Sequence, residues 1–188
     1  MASIIKEKYQ KEVIPALKEK LGIENVMALP KITKVVINIG FGRMILDKGT
    51  KDEQRKLTNY IIDNLTQISG QKPIATKSRK SISAFKTREG MVIGAKVTLR
   101  GARLYDFLEK LINVALPRSR DFQGISESAV DSSGNLNIGI KEHISFPEIS
   151  PERSPLILGL ETTVVTTAKS REKGMVLFTL LGFPFKKQ

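Results

Sequence analysis

His143 is the only histidine in 188 residues, and there is no cysteine. Nucleophilic catalysis needs a nucleophile with a base beside it, and a nitrogen–sulfur metal site needs several donors together. One imidazole supplies neither. His143 lies in an alternating apolar–polar stretch and reads as a packing or surface residue. The lack of cysteine also removes disulfides, zinc fingers and zinc knuckles. Asp47, Asp52 and Glu53 could be drawn as magnesium ligands, but acids that open a helix more simply complement its dipole. Gly40-Phe41-Gly42 imitates the start of a dinucleotide fingerprint; the third glycine is missing, and no regular amphipathic helix is expected there. No Gly-Lys-Ser/Thr phosphate loop occurs. The expectation is therefore no catalytic residue, no metal and no cofactor.

The chemistry that remains is the attraction of fixed cations for phosphate. Residues 71–103 carry nine bases, Lys72, Lys77, Arg79, Lys80, Lys86, Arg88, Lys96, Arg100 and Arg103, against the single acid Glu89. That segment holds +8 of the chain's net +12, while the other 155 residues have 22 bases and 18 acids. A concentrated positive field calls for a concentrated negative partner, and a phosphate backbone is the commonest one. A solvated basic loop is the competing explanation. The interleaved Gly70, Pro73, Gly90, Gly94 and Gly101 and the adjoining strand pattern favour a built surface.

The elements that would hold these cations are legible in the periodicity. Ile5, Tyr9, Val13, Leu17 and Leu21 predict a helix over 3–21, capped by Ser3 and Gly22, with Pro15 kinking or splitting it. A strand is expected over 31–39, with Val35, Ile37 and Ile39 on one face and Lys34, Val36 and Asn38 on the other. A helix over 51–68 follows, closed by Gly70. Residues 73–77 form a short strand and 78–90 an exposed loop. The strand over 92–100 sets Ile93, Ala95, Val97 and Leu99 against Gly94, Lys96, Thr98 and Arg100. A third helix, 104–115, ends at Pro117. Residues 116–124 are irregular, 131–134 turn, 136–146 alternate as strand, and 147–155 form a proline-marked loop. A strand over 159–167 and a helix over 171–181, weakened by Gly174, complete the chain. Strands with one apolar and one polar face predict an α+β fold: a mostly antiparallel sheet with helices packed on one face, an open basic face, and an exposed basic loop. One domain over 1–188 is expected, with an RNA-binding half of about 1–115 and a second half of about 116–188. Phe85 in the loop either stacks on bases or tucks into the core.

The run Ile68-Ser-Gly-Gln-Lys-Pro-Ile-Ala-Thr-Lys-Ser-Arg-Lys-Ser-Ile-Ser-Ala-Phe-Lys-Thr-Arg-Glu-Gly90 resembles the large-subunit ribosomal protein L-five family. So do Ile93-Gly-Ala-Lys-Val-Thr-Leu-Arg-Gly101, Leu116-Pro-Arg-Ser-Arg-Asp-Phe-Gln-Gly124, Phe146-Pro-Glu-Ile149 and Leu181-Gly-Phe-Pro-Phe185. The likeness covers essentially the whole chain. It departs at 131–134, Asp-Ser-Ser-Gly, where an arginine is common before the glycine, and at Leu136, where an aromatic is common. The resemblance implies 5S ribosomal RNA on the open sheet face, with Asn38, Gln71 and Thr98 as polar contacts and Lys34, Lys72, Lys96 and Arg100 supplying charge. It implies a loop reaching the P-site tRNA elbow through Lys77, Arg79, Lys80, Phe85, Lys86 and Arg88. It also implies a bridge to a small-subunit head protein of the S-thirteen family, for which Arg118, Arg120 and Lys141 are the candidate contacts. Other implied partners are 23S ribosomal RNA and the neighbouring proteins of the central protuberance.

Two other classes compete. An RNA-modifying or RNA-cleaving enzyme would need a cofactor pocket or carboxylate cluster, and the sequence offers neither. An RNA-binding regulator acting outside the ribosome would share the basic surface. No stretch of about 18 apolar residues predicts a membrane span, and charge arrives too early for a secretory signal, so no membrane partner and a cytoplasmic, ribosome-bound location are expected.

Overall fold

A computed structural model describes residues 4–186. The expected cap at Ser3 lies outside them. Helix α1 covers residues 4–21, α2 is Gly42–Leu46, α3 is Lys51–Ser69, α4 covers 102–118 and α5 is Arg171–Leu181. The strands are β1 (Ile32–Gly40), β2 (Ile74–Lys77), β3 (Val92–Leu99), β4 (Leu136–Ile140) and β5 (Leu160–Thr166). They form one sheet in the order β2-β3-β1-β5-β4, with every neighbouring pair antiparallel.

Side-chain alternation sorts the sheet into two faces. Val35, Ile37 and Ile39 of β1, Ala95, Val97 and Leu99 of β3, and Leu160, Thr162 and Val164 of β5 are buried. They meet Leu17, Ile61, Leu65, Leu104, Leu108, Leu177 and Phe178 from the helices in one continuous core. All the long helices therefore lie on one side, and the opposite side-chain rows stay exposed or half-buried.

Local chemistry explains most boundaries. Thr50 and Glu53 form a reciprocal capping box at the start of α3, which places Glu53 in a structural role. Gly22 and Gly70 end α1 and α3 in the left-handed conformation expected of them.

Both helical prolines are accommodated by a widened turn. Tyr9–Val13 and Leu111–Ala115 are π-helical, and the residue before each proline, Ile14 or Leu116, donates its N–H five residues back. The wider turn moves the chain past a ring that would otherwise meet a carbonyl and leave an unmatched acceptor. Pro15 splits α1 in this way. Pro117 does not stop α4, which continues to Arg118.

Three further expectations change. A short helix, α2, does begin at Gly42. The alternation over 136–146 is strand only to Ile140; beyond it His143–Ser145 is a 3-10 turn. His143 sits in that turn, fully buried. The Leu158 N–H donates to its Nδ1 at 3.2 Å, so Nε2 carries the hydrogen and donates to Ser154 Oγ at 3.1 Å. Ser154 also receives the Tyr60 hydroxyl at 2.7 Å and donates to Leu156 O at 3.2 Å. Burial holds the imidazole below its ordinary pKa. Finally, Gly174 docks α5 rather than weakening it. A Cβ there would lie 2.7 Å from Gly134 Cα, so the 131–134 turn and the helix touch backbone to backbone.

That turn is locked by Asp131. Its carboxylate accepts from the N–H groups of Ser133 and Asn135 and from the Asn135 amide. Desolvation pushes its pKa up, but the hydrogen bonds from Asn135, Ser133 and Gly134 together hold it lower than usual.

Candidate nucleic-acid interface

Strand register sets out the uncovered face as rows. One row runs Ile74, Lys96, Asn38, Glu161, Gly139 across all five strands; the next runs Thr98, Val36, Thr163, Asn137. Lys96 and Arg100 are exposed, and Lys34, Asn38 and Thr98 are half-buried. The predicted positions on β1 and β3 thus stand together, free of any helix roof. The face is not uniformly basic. Its cations collect on the β2–β3–β1 side, while β5 and β4 contribute threonines, Asn137 and the carboxylate of Glu161.

Gln71 is held at the edge of this face. Its backbone N–H and carbonyl both meet the buried Ser69 hydroxyl, at 3.3 and 2.8 Å. Its side-chain amide donates to Thr98 O at 3.4 Å and accepts from Arg103 Nη1 at 3.2 Å. The ordered amide therefore arrives with a guanidinium attached. Arg103 belongs to the basic run, but its place beside Gln71 had no sequence signal: the two are 32 residues apart. Lys72 is exposed next to it.

The basic segment is a loop closed like a hairpin by its own hydrogen bonds. Ser78 and Gly90 close its base by Ser78 N–H to Met91 O at 2.8 Å and Gly90 N–H to Ser78 O at 3.0 Å. Ile82 and Thr87 bridge across it, and Lys86 adopts φ 50° to make the tip. Lys77, Arg79, Lys80, Lys86 and Arg88 all point to solvent. Phe85 is 67% exposed, which removes the core-anchor alternative. With Ile82 and Leu46 it lines an open groove of about 580 Å³ between the hairpin and α2.

In the second half, Arg120 and Lys141 line one concavity of about 300 Å³ with Lys186. Arg120 pairs with Glu142 at 3.6 Å. Arg118 is exposed at the end of α4 and does not line that concavity.

Among the described residues no cluster of three or more His, Asp or Glu side chains could hold a metal ion, and no helix is long and apolar enough to cross a membrane. A half-open antiparallel sheet with its cations gathered at one side defines the class: an α+β scaffold protein with a polar, partly cationic open face. Residues 25–88 match the family described as ribosomal protein L5, and residues 92–185 match the C-terminus of that same ribosomal family. β1 and β2 fall in the first match and β3, β4 and β5 in the second, so a single sheet joins the two. The chain is 50% identical over 185 residues to the large ribosomal subunit protein uL5 of Desulfatibacillum aliphaticivorans. It is 49% identical to that of Thermoanaerobacter sp. strain X514 and 46% identical to that of Halothermothrix orenii. Each comparison spans 98% of this chain and 99% of the relative. The chain belongs to the ribosomal protein L5 family, structural proteins of the large ribosomal subunit and not enzymes.

Proposed function

We propose that this protein binds 5S ribosomal RNA on the uncovered face of its sheet and so helps to attach that RNA to the large subunit. The observation that carries the reading is the placement of Lys96, Asn38 and Thr98 on adjacent positions of the uncovered sheet face, with Gln71 hydrogen-bonded to the Thr98 carbonyl. Lys34, Lys72, Lys96 and Arg100 neutralise phosphates; Asn38, Gln71 and Thr98 supply directional hydrogen bonds to sugars and base edges. The 78–90 hairpin, with its exposed cations and Phe85, reaches the elbow of the P-site tRNA. Arg118, Arg120 and Lys141 face the small-subunit head, where a protein of the S-thirteen family is the partner. Contacts with 23S ribosomal RNA and neighbouring central-protuberance proteins complete the attachment.

The test is a salt titration of 5S RNA binding by the wild type and by a Lys96→Ala, Arg100→Ala double variant. Each lost phosphate contact flattens the log–log slope by roughly 0.7–0.9, so the pair removes about 1.4–1.8. Unchanged slope and affinity would eliminate the sheet face as the RNA platform.

A further inference from the structure

An exposed carboxylate is out of place on a surface meant for phosphate. Glu161 stands on β5, the fourth strand of the uncovered face, directly across from Asn38 on one side and Gly139 on the other. It is exposed and makes no ion pair among the described residues. Phosphate oxygens brought against it are repelled, which costs affinity. A carboxylate there gains only from a ligand that offers donors.

The surroundings say what such a ligand looks like. Asn38, Glu161, Lys141, Gly40, Gly139 and Gly159 line a shallow depression of about 530 Å³, within the range of small-ligand sites. Its floor carries no side chains at three positions. A Cβ on Gly40 or Gly139 would meet nothing within 4 Å, so the space above both is open. Bare backbone beside one carboxylate, one amide and the Lys141 chain suits a flat, polar, ring-shaped group. Lys96 lies in the same cross-strand row, two strands from Glu161, which is about 9–10 Å at the usual strand spacing. A phosphate can therefore rest on Lys96 while the attached base lies over the glycines.

We propose that Glu161 is a specificity determinant that reads an unpaired guanine of the RNA strand, accepting its N1–H and N2–H₂ groups on the two carboxylate oxygens. Guanine is the one base whose pairing edge sets two donors side by side. Adenine and cytosine each pair one donor with an acceptor that the carboxylate repels, and uracil flanks its one donor with carbonyls. Readout of splayed bases on this edge is the usual route to sequence selection in RNA. The inference rests on the sheet face being the RNA surface, and it adds selection by base to a contact otherwise built on shape and charge.

Short oligouridylates carrying one central guanosine, adenosine, cytidine or inosine, together with the plain oligouridylate, test it on the full-length protein. Inosine keeps N1–H and lacks the N2 amine. The wild type should bind the guanosine probe about tenfold or more tighter than the others. Glu161→Gln should bring the guanosine probe down to their level and leave oligouridylate affinity unchanged or improved. Equal wild-type affinity for all probes, or a guanosine preference that survives Glu161→Gln, overturns the proposal. Lys96→Ala with Arg100→Ala should weaken every probe by one common factor and keep the preference. If that pair weakens none of them, the underlying sheet-face reading fails separately. Competition by free guanosine monophosphate as strong as by the guanosine probe would make a mononucleotide the ligand and overturn the assignment to an RNA strand.

Discussion

His143 shows how a single residue can be chemically conspicuous and still structural. Its ring joins three segments: the 143–145 turn, Leu158 before β5, and, through Ser154, Tyr60 on α3. Every polar atom of the ring is matched only while it is neutral, because Nδ1 must accept. Since burial lowers its pKa in the folded chain, the unfolded chain takes up the extra proton. Stability from this group is complete above the ordinary value of about 6.5 and is lost as pH falls below it, at no more than about 1.4 kcal/mol per pH unit. Urea midpoints at pH 7.5 and 5.5 should show that drop in the wild type. His143→Ala should be less stable at neutral pH by about 1–3 kcal/mol, for the stranded Leu158 N–H alone, and should lack this part of the acid sensitivity. An acid slope identical in both proteins would place the titrating group elsewhere.

At the scale of elements, glycine positions decide more than propensities do. In isolation Gly174→Ala would favour α5 by about 1 kcal/mol. In the fold the new methyl would lie 2.7 Å from Gly134 Cα and 2.8 Å from Gly134 O, both backbone atoms that cannot turn aside. The expected result is a net loss of about 1–3 kcal/mol, read as a lower thermal midpoint. A raised midpoint would mean the turn and helix are not in contact. The same comparison shows what periodicity reveals and what it hides. β1, β3, α3 and the core stripe of α4 were legible because burial repeats at two or 3.6 residues along the chain. The docking of Gly174 on Gly134 was not, because it depends on two segments distant in sequence meeting edge to edge. The end of β4 at Ile140 was hidden for a related reason: Ile144 and Phe146 continue the alternation, while the hydrogen bonds that bend the chain come from Leu158 and Ser154. Of the interface, the charge run and the polar face of β3 could be read directly. The Gln71–Arg103 pair needed the tertiary contact of two segments 32 residues apart, and the place of Glu161 needed the strand register.

The hairpin makes a separate prediction at this scale. Its base is sealed by Ser78, Gly90 and Met91, and its tip buries no large apolar side chain. Replacing residues 79–89 by a two-residue turn should keep the fold and 5S RNA affinity, because exposed loop tips tolerate excision. Retention of P-site tRNA on assembled ribosomes should fall. Loss of folding on that excision would show that Ile82 and Phe85 contribute to the core after all.

For the whole molecule, the question is whether net charge or its placement governs binding. If the chain's +12 acted as one diffuse field, any two cations would matter equally to 5S RNA. Screening argues otherwise. The Debye length is about 8 Å at physiological ionic strength, and β4 stands three strands from β3 in the sheet, roughly 14–15 Å at ordinary strand spacing. Arg120 lines a concavity against β4 and is already engaged with Glu142, and Arg118 precedes it by two residues at the end of α4. Arg118→Ala with Arg120→Ala removes two positive charges, as many as Lys96→Ala with Arg100→Ala, and should leave the salt slope of 5S RNA binding unchanged at physiological ionic strength. Association of the two ribosomal subunits should weaken instead, measured by sedimentation of reconstituted large subunits with small subunits at falling magnesium. Equal slopes for the two double variants would show that the bulk charge, and not the patterned face, holds the RNA.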